Sequence, residues 1–290
     1  MRHFWKRLRR YQNVSEDTFL DPKWQTKMTL SGTPSVVKFL REEAGDEIAN
    51  EAISANSSKR ITMYTKVSPY IQSRMDFTDL FKCPVRRQFI PFASDMIENH
   101  DDHPMTSLDP VSEHENSPVP GLVHRYPEKV LFLATSTCPT YCRFCTRSYG
   151  VGRNTESTRK MKHFHHSSKR WDICFEYLRN EENVSDVTVS GGDTFQLNAQ
   201  SLEYIGHKLL DIPHIERIRF ATKGLSVLPM KIFRDQHWLD ALITLNQRAR
   251  REMKQISLNT RTSFFLKHSS FHLHETLDCN TLQISITRMK

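Results

Sequence analysis

The sequence has no apolar run long enough to span a bilayer, so no membrane-spanning helix and no membrane partner is expected. No apolar h-region stands near the N-terminus, so no secretory signal peptide is expected either. No internal repeat is visible, which argues against a solenoid or an array. Glycine does not recur after Gly224. Apolar residues make up 38% of the 290 residues, a low share for a globular enzyme. Much of the chain is then surface, or part of it folds poorly. The length still allows a sizeable core, in one large domain or in one domain with an appended helical region.

Acid does not balance base: the net charge is +8. A basic balance suits anionic ligands such as phosphates, and nucleic acid. The charge is dispersed, however, with its densest run at Lys6 to Arg10. We read the rest as solvated surface with some anion-binding arginines and expect no nucleic-acid partner. MRHFWKRLRRYQ has no acid before Glu16 and reads as a basic first helix. The alternative is a short mitochondrial presequence, so the cytoplasm is the expected compartment and the mitochondrion the second.

Along the chain, PSVVKFLREE (34–43) follows Ser/Gly/Thr punctuation and predicts a helix, and Asp76 to Phe81 predicts a short one. Residues 101–120 are rich in Pro, Ser and acid and form an irregular connector. The pattern then changes. KVLFLAT (129–135), DVTVS (186–190), IERIRFAT (215–222) and QISLNT (255–260) read as strands. Residues 171–179, 202–210 and 238–253 read as helices between them. The alternation predicts an α/β fold of parallel βαβ units, and its four strands would make half of an eight-stranded barrel. Such a half would leave a parallel edge and an apolar face uncovered. The expected organisation is a helical region with its connector over 1–120, a core over 121–260, and a divergent tail over 261–290 with a short strand at its end.

Six cysteines are present, and Cys138, Cys142 and Cys145 fall within eight residues. That crowding does not suit a disulfide framework; it suits metal or cluster binding in a reducing compartment. The C-x3-C-x2-C run follows the strand at 129–135, so its loop lies at the carboxyl end of a parallel strand, where α/β folds gather their sites. Three thiolates hold three irons of a cubane and leave the fourth open to a ligand. Two other readings use the same residues. A structural zinc site needs four ligands and usually pairs C-x2-C units, of which only Cys142 and Cys145 make one. A four-cysteine ferredoxin-like cluster would need Cys83 or Cys174 to reach in. Ser190-Gly191-Gly192-Asp193 follows a strand, and its glycines would let the backbone approach a ligand closely.

C-x3-C-x-aromatic-C is the radical S-adenosylmethionine (SAM) signature, and the surrounding text resembles the lysine 2,3-aminomutase family. The matching stretches are CPVRRQFIP (83–91), DPVSEHENSPVPGLVHRYPEKVLFLATSTCPTYCRFCTRSYGVG (109–152), VSDVTVSGGD (184–193), IPHIERIRFATKGLSVLP (212–229) and ISLNT (256–260). KWQTKMT (23–29) resembles the family's N-terminal helical region. The resemblance implies a partial (β/α) radical SAM barrel after an N-terminal helical region. It implies a [4Fe–4S] cluster on Cys138, Cys142 and Cys145 that binds SAM, takes one electron from a reductant and yields a 5′-deoxyadenosyl radical. That radical would act on an amino-acid substrate while pyridoxal phosphate (PLP) carries the migrating nitrogen. By the same resemblance Ser190, Gly191, Gly192 and Asp193 lie against SAM, and Phe144 packs near its adenine. Arg125 holds the PLP phosphate and Arg147 the substrate carboxylate. Where the family has a second phosphate arginine this chain has Lys129, which supplies charge without the planar fork.

After Thr260 the family's text continues with further βα units, a Gly-rich run with the Schiff-base lysine, and acids that select the substrate's side chain. Residues 261–290 do not match these. Lys267 and Lys290 lack the matching context, and no Schiff-base lysine is assigned. The tail reads as a divergent or misread end of a longer gene, such as a shifted frame or a retained intron. The expected function is a radical SAM aminomutase-like isomerase. The alternative is an inactive, truncated cluster-binding remnant or a non-catalytic iron–sulfur protein. A second copy of the chain, as a homo-oligomer, would complete the half-barrel.

Overall fold

The computed structural model describes residues 3–58, 61–97, 107–161, 164–262 and 283–288. It divides into two compact units, residues 1–111 with 139–161, and residues 112–138 with 162–290. The chain therefore leaves the second unit after Cys138 and re-enters it at Lys162. A linear division at residue 120 does not contain that excursion.

The first unit holds α1 (Glu16–Phe19), α2 (Pro22–Lys27), α3 (Thr33–Ala44), α4 (Asp46–Ser57), α5 (Pro69–Arg74) and α6 (Pro84–Phe89). A two-residue antiparallel pair joins β1 (Leu30–Ser31) to β2 (Lys66–Val67). Helix α3 forms where its apolar spacing predicts, burying Val36, Val37, Phe39 and Leu40. The basic N-terminal segment is not an α-helix. It makes two 3-10 turns, Phe4–Arg7 and Arg9–Tyr11. Trp5, Leu8 and Tyr11 are all buried. Leu8 is extended and separates the two turns, so the three do not lie along one continuous helix. Trp5 stacks on Phe19 with ring centroids 4.5 Å apart. Asp76 to Phe81 is also not helical. Oδ1 of Asp76 accepts from the Thr78 N–H at 3.0 Å and from its hydroxyl at 2.7 Å. The side chain closes a local turn there instead of a helix.

The second unit is built on one sheet. Its elements are β3 (Leu122–Tyr126), β4 (Lys129–Thr135), α7 (Ser168–Asn180), β5 (Asp186–Gly191), α8 (Ala199–Leu210), β6 (Arg217–Thr222), α9 (Gly224–Val227), α10 (Met230–Arg234), α11 (Gln236–Arg251), β7 (Gln255–Thr262) and β8 (Gln283–Arg288). The sheet order is β3-β4-β5-β6-β7-β8; β3 runs antiparallel to β4 and every other pair is parallel. This is an α/β fold with the strand and helix order of a partial (β/α) barrel. Three parallel crossovers carry helices, as parallel pairing demands.

Phe132, Val187, Val189, Ile218, Phe220, Ile256 and Leu258 face the helices and pack with Trp171, Phe175, Leu202, Leu242 and Leu245 in one core. Alternation puts Thr188, Ser190, Arg219, Ser257 and Asn259 on the opposite face. That face is mixed: Leu131 and Leu133 of β4 stand on it beside the polar residues, in register with Thr188 and Ser190 of β5. Asp186 binds Arg217 at 3.1 Å and also pairs with Arg219 on that face. The edge expected at β7 is covered by β8, in register from Ser257↔Gln283 to Thr262↔Arg288. The rest of the tail, with Lys267, Cys279 and Lys290, and residues 98–106, which include the start of the expected connector, lie outside the described residues. Among the described residues no helix is long and apolar enough to cross a membrane.

Candidate functional site

In the second unit the site is assembled at the carboxyl ends of β4, β5 and β6. The register of β4 against β5 shifts between Leu133 and Thr135, which leaves Ala134 as an extra residue. Bulges of this kind re-aim a strand end. The carbonyls they free need partners, and helix α7 supplies them. Arg170 Nη2 donates to Leu133 O at 2.7 Å, and Trp171 Nε1 donates to Ala134 O at 3.0 Å. Beyond the bulge the chain runs through Thr137 into Cys138.

The Ser190–Asp193 turn is pressed onto this strand end. The Gly192 N–H donates to Thr135 O at 2.5 Å and the Asp193 N–H to Thr137 O at 2.9 Å. A Cβ on Gly191 would lie 2.3 Å from Thr135 O, and one on Gly192 2.2 Å from Thr137 O. Gly191 also has φ +105°, a conformation that side chains disfavour. The glycines are thus required by contact with the chain that leads into Cys138. Asp193 is buried, and its carboxylate faces the protein. It accepts from Thr222 Oγ1 at 2.5 Å, from the Phe195 N–H at 2.9 Å and from the Lys223 N–H at 2.9 Å. Burial pushes its carboxyl up, against those hydrogen bonds and the nearby charge of Lys231. Asp193 therefore ties the end of β5 to the end of β6.

In the first unit, residues 139–161 form an irregular loop hung on three elements. The Tyr141 N–H donates to Lys66 O at 3.1 Å, and the Arg143 N–H to Gln88 O at 2.9 Å. Arg143 Nη1 also donates to Asp95 Oδ2 at 2.7 Å. Cys142 and Cys145 are half-exposed. Burial pushes the Cys145 thiol up; the Arg147 N–H and the charges of Arg147 and Lys160 pull it down, while Cys142 adds to the rise. Burial also brings Lys160 down to about 8, opposed by Cys145. Its ammonium donates to Thr62 O at 2.5 Å and to Ser148 O. Phe144 is 45% exposed, so it is no core aromatic.

The two remaining described thiols serve their own surroundings. Cys83 is the N-cap of α6; its sulfur accepts from the Arg86 N–H at 3.4 Å and the Asp76 N–H at 3.2 Å. Cys174 is buried in the core, 3.6 Å from Pro120 O, and burial raises its thiol to about 11. Among the described residues no group of three or more His, Cys, Asp or Glu is placed to hold a metal ion. By donor chemistry alone, three thiols are the ligand type that the irons of a cubane take.

The structure brings Ser190, Gly191, Gly192 and Asp193 together with the chain entering Cys138, and separately groups Cys142, Phe144, Cys145 and Arg147 on one loop. Arg125 is not with the strand-end group. It is exposed on β3, whose Tyr126 pairs with Lys129 at the opposite end of β4. Lys129 is taken by Glu128 at 2.9 Å. Asp95 and Arg143 are absent from the residues that the sequence picks out. Both lie in or next to matched stretches, but they are 48 residues apart, and no local pattern pairs them.

No family model matches the chain. It is 37% identical over 232 residues to the L-lysine 2,3-aminomutase of Bacillus subtilis, covering 79% of this chain and 44% of that protein. It is 34% identical over 227 residues to the L-lysine 2,3-aminomutase of Clostridium subterminale, covering 78% and 50%. It is 31% identical over 166 residues to the glutamate 2,3-aminomutase of Clostridioides difficile, covering 57% and 36%. The chain spans about half the length of the lysine 2,3-aminomutases it matches.

Proposed function

The chain belongs to the lysine 2,3-aminomutase family, and from that premise we propose that it is a radical SAM protein acting on an amino acid. Cys138, Cys142 and Cys145 hold a [4Fe–4S] cluster with one iron free of protein ligands. When reduced, that cluster supplies the electron that cleaves SAM to a 5′-deoxyadenosyl radical. The electron comes from a separate reductant. The observation that carries this reading is the disposition of the thiols. Three sit half-exposed on the loop after a parallel strand, and Cys83 and Cys174 are committed elsewhere.

The protein's own part is positioning and exclusion. The Gly192 and Asp193 N–H groups are spent on β4. By family resemblance the turn at 190–192 would lie against the methionyl end of SAM. Asp193 acts at one remove, by fixing β5 to β6. The half-exposed ring of Phe144 would stack on adenine. Arg147 offers a planar fork for the substrate carboxylate. Lysine and glutamate are the substrate candidates that the relatives' names supply. No step is assigned to PLP.

The test is anaerobic. The full chain is reconstituted with iron and sulfide, given SAM and dithionite, and assayed for 5′-deoxyadenosine beside Cys142→Ala. Formation well above that control is expected. A cluster without 5′-deoxyadenosine would overturn the enzymatic reading and leave a cluster-binding remnant, and a chain that takes up no iron would overturn both.

A further inference from the structure

We propose that Asp95 is a positioning residue for the cysteine loop, which it holds through Arg143. The proposal rests on the reading of Cys142 and Cys145 as cluster ligands. Arg143 lies between those two cysteines in the sequence. Its backbone N–H is fixed on Gln88 O at 2.9 Å and its guanidinium on Asp95 Oδ2 at 2.7 Å. One residue is therefore held at two points, which sets both its backbone and the direction of its side chain.

The anchor is itself rigid. The Asp95 side chain is 6% exposed and Arg86 is fully buried. Arg86 donates to Leu80 O at 2.9 Å, to Phe81 O at 2.7 Å and to Ile90 O at 3.3 Å, and it pairs with Asp95. Its guanidinium also lies over the Phe92 ring, 4.0 Å from the centroid. The Phe92 N–H donates to Asp95 Oδ2 at 3.1 Å, and Arg87 reaches Oδ1 at 3.6 Å. Three of the five guanidinium N–H groups of Arg86 go to those carbonyls, so Asp95 is not its only partner. What Asp95 adds is a link between this fixed group and Arg143. An irregular loop has few intrinsic constraints, and a charge-assisted bond at its centre is the means available to hold two thiols in register.

Two readouts test this on the full chain. In the apoprotein, iodoacetamide labelling is followed cysteine by cysteine by mass spectrometry. Asp95→Asn should speed labelling of Cys142 and Cys145 by about tenfold, equivalent to ~1.4 kcal/mol of easier opening. Cys83 and Cys174 should stay protected. Unchanged labelling of the loop thiols would overturn the proposal. If Cys83 and Cys174 also become reactive, Arg143→Ala, which leaves the Asp95–Arg86 pair intact, is read in the same way. In the reconstituted protein, the change that SAM produces in the electron paramagnetic resonance spectrum of the reduced cluster should be lost in Arg143→Ala and kept in Arg143→Lys. An Arg143→Ala spectrum matching the wild type would count against the positioning role. If the wild type takes up no iron, the cluster reading fails while the labelling arm still decides whether Asp95 holds the loop.

Discussion

The two groups of candidate residues, one in each unit, are built on opposite principles. The strand-end corner is made of backbone: glycines seat one strand end on another, and a buried carboxylate, Asp193, clamps a third. The cysteine loop has no regular structure and hangs from β2, α6 and Asp95 by isolated bonds. A substitution in the corner should disturb the sheet itself. One in the loop should leave the fold intact and change only the thiols. Tryptophan fluorescence separates the two, because Trp171 and Trp238 report the sheet unit while Trp5 and Trp24 report the helical one.

The largest effect is expected at Gly192. In Gly192→Ala the new methyl meets a carbonyl oxygen rather than a yielding side chain. The sheet unit should lose about 3 kcal/mol or more, seen as a lower urea midpoint. A variant as stable as the wild type would show that the corner is not tight. Asp193→Ala comes next: it strands the Thr222 hydroxyl and two N–H groups, for a loss of ~3 kcal/mol in the same assay. Asp95 sets a smaller, pH-dependent effect. Burial would raise its carboxyl, but hydrogen bonds from Arg86 and Phe92 and the charges of Arg86 and Arg143 outweigh it and hold it low. The unfolded chain therefore takes up this proton first. The stabilisation is whole above the ordinary carboxylate range, near pH 3.9, and is lost as pH falls through the depressed value. The stability gap between wild type and Asp95→Asn should close on acidification below about pH 4; a constant gap would contradict this. The smallest effect is Cys83→Ser, which keeps a cap on α6. Stability should stay within about 0.5 kcal/mol and iron content should not change. A loss of iron would make Cys83 a fourth ligand.

Legibility in the sequence follows the same division. Strands β4 to β7 and helices α7, α8 and α11 are readable because apolar periodicity records burial against a single core. The N-terminal 3-10 turns escape that reading, since Trp5, Leu8 and Tyr11 repeat every three residues. Strand β3 escapes it because only Leu122 and Val123 are buried, while Arg125 and Tyr126 are exposed. The cysteine spacing is legible because Cys138, Cys142 and Cys145 fall within eight residues of one another in the sequence. The tie from Arg143 to Asp95 is a tertiary contact, and no periodicity encodes one.

The central claim is a cluster with one iron open to SAM, and Mössbauer spectroscopy of protein reconstituted with iron-57 addresses it directly. The account predicts a cubane spectrum in which one iron site in about four changes when SAM is added. A spectrum of a mononuclear or fully ligated centre, unchanged by SAM, would contradict it.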